Sequence, residues 1–133
     1  MVAGHRHVLV AEDEPHIARI IATKLEQGPF RVTLVGDGEA ALDALARHDD
    51  VALLLLDLMM PRLDGMEVLR RIRQDPRWTS LPCVILTAAG QDARQAEALA
   101  LGATDFLTKP FSPKRLFERV LELTAAAPDA RTP

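Results

Sequence analysis

The sequence predicts an α/β domain: an open, doubly wound parallel sheet of five strands flanked by five helices. Three observations carry this. Five short runs rich in Val, Leu and Ile recur every 20 to 30 residues, at His7 to Val10, Val32 to Val35, Val51 to Leu56, Cys83 to Leu86 and Asp105 to Leu107. Most of them are continuously apolar, as strands covered on both faces must be. The segments between them have helical length and carry apolar residues at helical spacing, so that each joins two parallel strands by one right-handed crossover.

The elements follow in order. After the first run come Glu12, Asp13 and Glu14, then Pro15, which fits a first helical turn because its missing N–H would have no partner there. Ile17, Ile20, Ile21 and Leu25 form the apolar stripe of that helix, and Gly28 and Pro29 end it. Ala41, Leu42 and Leu45 mark a second helix, and Met66, Leu69 and Ile72 a third. Gln91 to Leu101 is rich in alanine and weakly amphipathic, which predicts a helix of shallow packing. Ser112 and Pro113 supply a capping hydroxyl and a first-turn proline for the last helix, with Leu116, Val120 and Leu123 at helical spacing. From Ala125 to Pro133 the apolar period is absent and two prolines occur, so residues 1–126 are expected to form the domain and 127–133 a tail or the start of a linker.

Composition narrows the function. The 133 residues suit one domain, large enough to bury a core without disulfide or metal support. Sixteen basic residues against nineteen acidic ones give a net charge of −3, which disfavours general nucleic-acid binding by this chain. A single cysteine, Cys83, permits neither an intramolecular disulfide nor a CxxC site and fits a reducing, cytoplasmic setting. The longest apolar run, Val51 to Leu56, is far short of the roughly 20 residues of a membrane span, and Met1 to His7 does not resemble an export signal.

The informative residues are polar ones at the strand ends: Glu12 and Asp13 after the first strand, Asp57 ending the third, Thr87 ending the fourth and Lys109 after the fifth. In a parallel sheet these carboxyl ends share one rim, where open α/β folds bind their ligands. Crowded carboxylates repel unless a cation keeps them ionised, and Mg²⁺, which accepts one or two protein carboxylates together with a phosphate oxygen, suits Asp13 and Asp57. Asp57 then reads as a nucleophile for phosphoryl transfer, with Lys109 neutralising charge and Thr87 donating a hydroxyl hydrogen bond. Taken singly, an Asp after a strand is commonly a turn residue, an acid pair a helix cap, a Thr a strand residue and a Lys a solvated charge. Four chemically matched strand ends, in a chain with only three lysines, make the joint reading the stronger.

At these residues the chain resembles the receiver domain of two-component response regulators, the family of CheY-like proteins, from His7 to about Ala126. The motifs are Val8-Leu9-Val10-Ala11-Glu12-Asp13-Glu14, Leu56-Asp57-Leu58-Met59-Met60-Pro61-Arg62-Leu63-Asp64-Gly65, Leu86-Thr87-Ala88 and Thr108-Lys109-Pro110-Phe111. The resemblance implies a flavodoxin-like strand order 2-1-3-4-5 and a phosphoryl group received on Asp57 from a sensor histidine kinase or phosphotransfer protein. It implies Mg²⁺ held by Asp13, Asp57 and the backbone carbonyl of Met59, with Glu12 acting through water. It further implies a switch in which Thr87 and Lys109 turn to the phosphoryl group, Phe106 rotates inward, and the face built from the fourth helix, fifth strand and fifth helix changes. The Lys109–Pro110 peptide is expected to be cis.

The resemblance also implies that Met59 and Ala89 occupy positions that help set the rate of phosphoryl hydrolysis; both are apolar and offer no water-positioning group, which points to a long-lived phosphoryl state. Glu97, Ala100 and Arg115 depart from the charge pattern by which the winged-helix branch pairs its receivers. Two other functions share this sequence: a scaffold that is never phosphorylated, and an aspartate-nucleophile phosphohydrolase. The latter carries a second Asp two residues after the nucleophile, where this chain has Met59. His5 and His7 share one side of a strand but have no further ligand in the sequence. Arg70, Arg71, Arg73 and Arg77 read as a solvated helix face, and Trp78, in the polar loop after it, either packs across that loop or marks a contact.

Overall fold

The structure, a computed structural model, describes residues 5–131, with side chains through residue 125. Ten elements alternate: β1 Arg6–Ala11, α1 Pro15–Glu26, β2 Phe30–Val35, α2 Gly38–Arg47, β3 Val51–Asp57, α3 Gly65–Gln74, β4 Cys83–Ala88, α4 Asp92–Ala100, β5 Asp105–Lys109 and α5 Pro113–Arg131. The strands form one parallel sheet in the order β2-β1-β3-β4-β5. The order reverses between β1 and β3, so the crevice at their carboxyl ends is where this topology opens a binding site.

Strand alternation divides the core in two. Leu9, Ala11, Leu54, Leu56, Cys83 and Ile85 face α2, α3 and α4, where Ala41, Leu45, Leu69, Ile72 and Ala98 meet them. Val8, Val10, Leu53, Leu55, Val84 and Leu86 face α1 and α5, against Ile21, Leu25, Leu116 and Val120. Val8 to Ala11, Leu53 to Asp57 and Cys83 to Thr87 are therefore buried whichever way they point, which is why these runs contain no polar alternation.

The helices begin where local chemistry places them. Pro15 opens α1 and Pro113 opens α5. Asp37 caps α2 by accepting from the Ala40 N–H at 2.8 Å, Asp64 caps α3 from Glu67 N–H at 3.1 Å, and Ser112 Oγ accepts from Arg115 N–H at 3.2 Å. Only Gln95 and Ala98 of α4 are buried, the shallow packing its alanine-rich sequence predicts. α5 continues to Arg131; Ala125, Ala126 and Ala127 are of the residue type with the highest helix propensity, which favours that continuation.

The arginine cluster is only partly a solvated face. Arg70 and Arg71 pair with Glu67 on α3, but Arg73 reaches three backbone carbonyls, of Gly102, Trp78 and Leu81, at 3.0, 2.8 and 2.7 Å. It ties the loops entering β4 and β5 to α3. Trp78 is buried in the core beside α3, with the Arg77 guanidinium 5.5 Å from its ring centroid. Among the described residues, no helix is long and apolar enough to cross a membrane.

Candidate functional site

Burial separates the three carboxylates at the β1/β3 edge. Asp57 ends β3 and Glu12 follows β1, and both are buried, while Asp13 is exposed at the rim. One oxygen from each lies within 4.8 Å of the others. Lys109, from the end of β5, places Nζ 2.9 Å from Glu12 Oε1 and 3.2 Å from Asp57 Oδ2, with Glu14 Oε1 at 3.7 Å. One ammonium thus neutralises two buried acids.

The neutralisation is incomplete. Glu12 Oε2 accepts from the Glu14 N–H at 3.2 Å, but Oε1, although close to the ammonium, is buried without a hydrogen bond of good geometry. Burial pushes the Glu12 carboxyl up to about 7; the Lys109 contact opposes this and the Asp57 charge reinforces it. For Lys109, burial alone would lower the pKa, but its contacts with Glu12 and Asp57 outweigh that and raise it. Three clustered carboxylates facing one ammonium are the donor chemistry a hard divalent cation takes.

The β3–α3 loop fixes the orientation of Asp57. Its Oδ1 accepts from the Met59 N–H at 3.0 Å, and Gly65 N–H donates to the Leu58 carbonyl at 3.1 Å, folding the start of α3 back onto the strand end. A Cβ on Gly65 would stand 2.5 Å from the Asp57 carbonyl oxygen, and one on Gly38 would stand 2.0 Å from that of Leu63, so glycine is required where the loop is pressed between the two helix starts. Within the loop Arg62 has φ 67°, a left-handed conformation unusual outside glycine. The Lys109–Pro110 peptide is cis.

Glu12, Asp13, Asp57 and Lys109 therefore converge, and Thr87 stands on the same rim. The β3–β4 register pairs Asp57 with Leu86, one residue before it. Its hydroxyl, however, is turned to α4 and accepts a hydrogen bond from Gln95 Nε2 at 2.8 Å. Phe106 is half-buried against the α2–α4 side of the core. The sequence reading passed over Gln95; its signal was a polar residue one turn from Ala98 on the inward stripe of a helix otherwise built on alanine. A second cluster of possible ligands, His7, His48 and Asp50, lies at the opposite edge, but Asp50 Oδ1 and Thr33 Oγ1 already occupy both His7 nitrogens, at 2.8 and 2.7 Å, and His5 is exposed.

Comparison with known proteins agrees with this geometry. The family described as the response regulator receiver domain matches residues 8–121. The chain belongs to that family. The receiver is 40% identical over 114 residues to the transcriptional regulatory protein YkoG of Bacillus subtilis, covering 86% of this chain and 49% of that protein. It is 36% identical over 124 residues to the response regulator ArlR of Staphylococcus epidermidis, covering 92% and 54%. The receiver thus spans about half the length of these relatives. Among solved structures, the receiver domain of the Francisella response regulator 1452 superposes with a TM-score of 0.85 at 35% identity, covering 92% of this chain and 99% of that one. The signal receiver domain of a histidine kinase from Syntrophus aciditrophicus gives 0.86 at 27% identity, with 96% and 95% covered. Function in two-component signal transduction, the parallel sheet and its order all agree with the sequence reading.

Proposed function

We propose that this receiver accepts a phosphoryl group on Asp57 from a sensor histidine kinase or phosphotransfer protein, in the cytoplasm. The observation that carries the reading is the bridging ammonium: Lys109 within 3.2 Å of a buried Asp57 whose other oxygen is held by the Met59 N–H. A carboxylate oxygen of Asp57 attacks phosphorus, the P–N bond of a phosphohistidine breaks, and its electron pair returns to the imidazole nitrogen. Lys109 is placed to balance charge on the transferred group, and the backbone N–H of Met59 fixes the angle of attack.

Asp13, Asp57 and the Met59 carbonyl would hold Mg²⁺, with Glu12 at one water's remove. The ion would shield the incoming phosphoryl oxygens from the acids. The buried Glu12 carboxylate, which shares a single ammonium with Asp57, supports that assignment. Turnover of a free phosphate ester is a poorer reading, because exposed Met59 has no proton to give to a leaving group. The output is a change in the α4-β5-α5 face, passed by protein contact to a downstream partner.

Incubation with acetyl phosphate and Mg²⁺, followed by intact-mass analysis, tests the reading. One phosphoryl adduct is expected, lost in Asp57→Asn and without Mg²⁺. An adduct that persists in Asp57→Asn, or none in the wild type, overturns it.

A further inference from the structure

Thr87 and Thr108 are register partners on the paired strands β4 and β5, so their side chains lie side by side on the sheet face that carries α4. Gln95 of α4 sits over both. Its Nε2 donates to both hydroxyls, to Thr87 Oγ1 at 2.8 Å and over a longer contact to Thr108 Oγ1 at 3.4 Å. Thr87 and Gln95 are buried and Thr108 is exposed. A buried amide that loses its acceptor without finding another is penalised by its full desolvation cost, so a second acceptor within reach decides whether the first can be released.

We propose that Gln95 is a latch on the phosphoryl switch: its amide, shared between Thr87 and Thr108 in the resting receiver, holds the Thr87 hydroxyl to α4 and closes onto Thr108 alone when Thr87 turns to the phosphoryl group. This deepens the phosphoacceptor reading and rests on it. In the resting state the Thr87 oxygen is claimed by α4. For the hydroxyl to donate to a phosphoryl oxygen, rotation about χ1 must carry it toward the Asp57 edge and break the Gln95 bond. Thr108 then takes the amide, so no buried donor is stranded.

The transfer also explains how α4 would register the event. Gln95 and Ala98 are the buried residues of α4, and the polar one of the two is the one moved. Phe106 lies two residues before Thr108 on the same face of β5, so the new seat of the amide adjoins the ring. Gln95 touches no reacting atom. It is a positioning residue whose effect is exerted through Thr87.

The test uses beryllofluoride with saturating Mg²⁺ as a phosphoryl mimic, with affinity read by ¹⁹F NMR and the Thr87 side chain by its methyl resonance. Gln95→Met keeps the volume and removes the donor. It is expected to bind beryllofluoride roughly two- to threefold more tightly, the gain from releasing the buried Thr87 bond less the loss of the exposed Thr108 bond, and to shift the unliganded Thr87 methyl toward its liganded position. Thr108→Val removes the second acceptor at an exposed position and is expected to weaken binding by about twofold, less than a buried partner because water competes there. Opposite signs in the two variants support the latch. Unchanged or weaker binding in Gln95→Met with an unmoved Thr87 methyl, or tighter binding in Thr108→Val, overturns it. If wild-type protein takes no beryllofluoride, the phosphoacceptor reading has failed and the latch with it; if wild type binds and the variants do not differ, only the latch has failed.

Discussion

The two edges of the sheet are built from similar residues to opposite ends. At the amino edge the buried charges are paired: His7 is fixed between Asp50 and Thr33, Asp50 also receives Arg31, and Arg73 satisfies three carbonyls. The Trp78 indole N–H there is buried without an acceptor but carries no charge. At the carboxyl edge the acids outnumber the cation, and a buried oxygen of Glu12 is left without a hydrogen bond. The contrast teaches that reactivity here is residual electrostatics: the edge that could not neutralise itself is the one that awaits a ligand.

The contrast can be broken most completely at Asp57. Asp57→Asn removes the acceptor oxygen and is expected to abolish the phosphoryl adduct in intact-mass measurements while the protein remains folded, because the edge loses a repulsive charge. At the other edge, Arg73→Met is expected to cost about 3 kcal/mol in urea unfolding, since three carbonyls lose a charged donor. Phosphoryl acceptance at temperatures below the transition should be unchanged. His7→Leu is expected to cost about 2 kcal/mol by stranding the Thr33 hydroxyl and freeing Asp50. Hydrogen bonding to His7 lowers the Asp50 pKa, so this contribution is present above the ordinary carboxylate range and is lost as pH falls through the folded value. The acid limb of the pH–stability curve should therefore flatten in His7→Leu.

The smallest effect sharpens the comparison. Mg²⁺ at roughly ten times its Kd should raise stability by about 1.4 kcal/mol, read as a calorimetric shift. Glu12 is raised from 4.5 to about 7, so its protonated form is favoured in the fold. The metal-free protein should then lose stability as pH climbs through that window, relative to Glu12→Gln, and Mg²⁺ should restore it. The same cation should have little effect below the window, where Glu12 is protonated.

Much of this was legible in the sequence because it is local. A strand buried on both faces must be continuously apolar, so Val51 to Leu56 announced itself, and Asp57 drew notice by ending that run. Pro15, Ser112 and Pro113 act within one turn of chain, and the helices begin there. The strand order is set by which surfaces pack together and came from resemblance to a family, not from periodicity. Arg73 looked like its neighbours on α3, because its partners Trp78, Leu81 and Gly102 are brought to it only by folding. Gln95 escaped notice for the same reason: its partners lie on two strands that nothing in the helix itself reveals.

The shared ammonium of Lys109 has one more implication. A cation already divided between two holders meets an incoming dianion by redistribution, so Glu12 must surrender part of its claim as the newcomer arrives. The first molecular trace of a signal in this receiver would then be a transfer of allegiance inside the rim, preceding any movement of helix or ring.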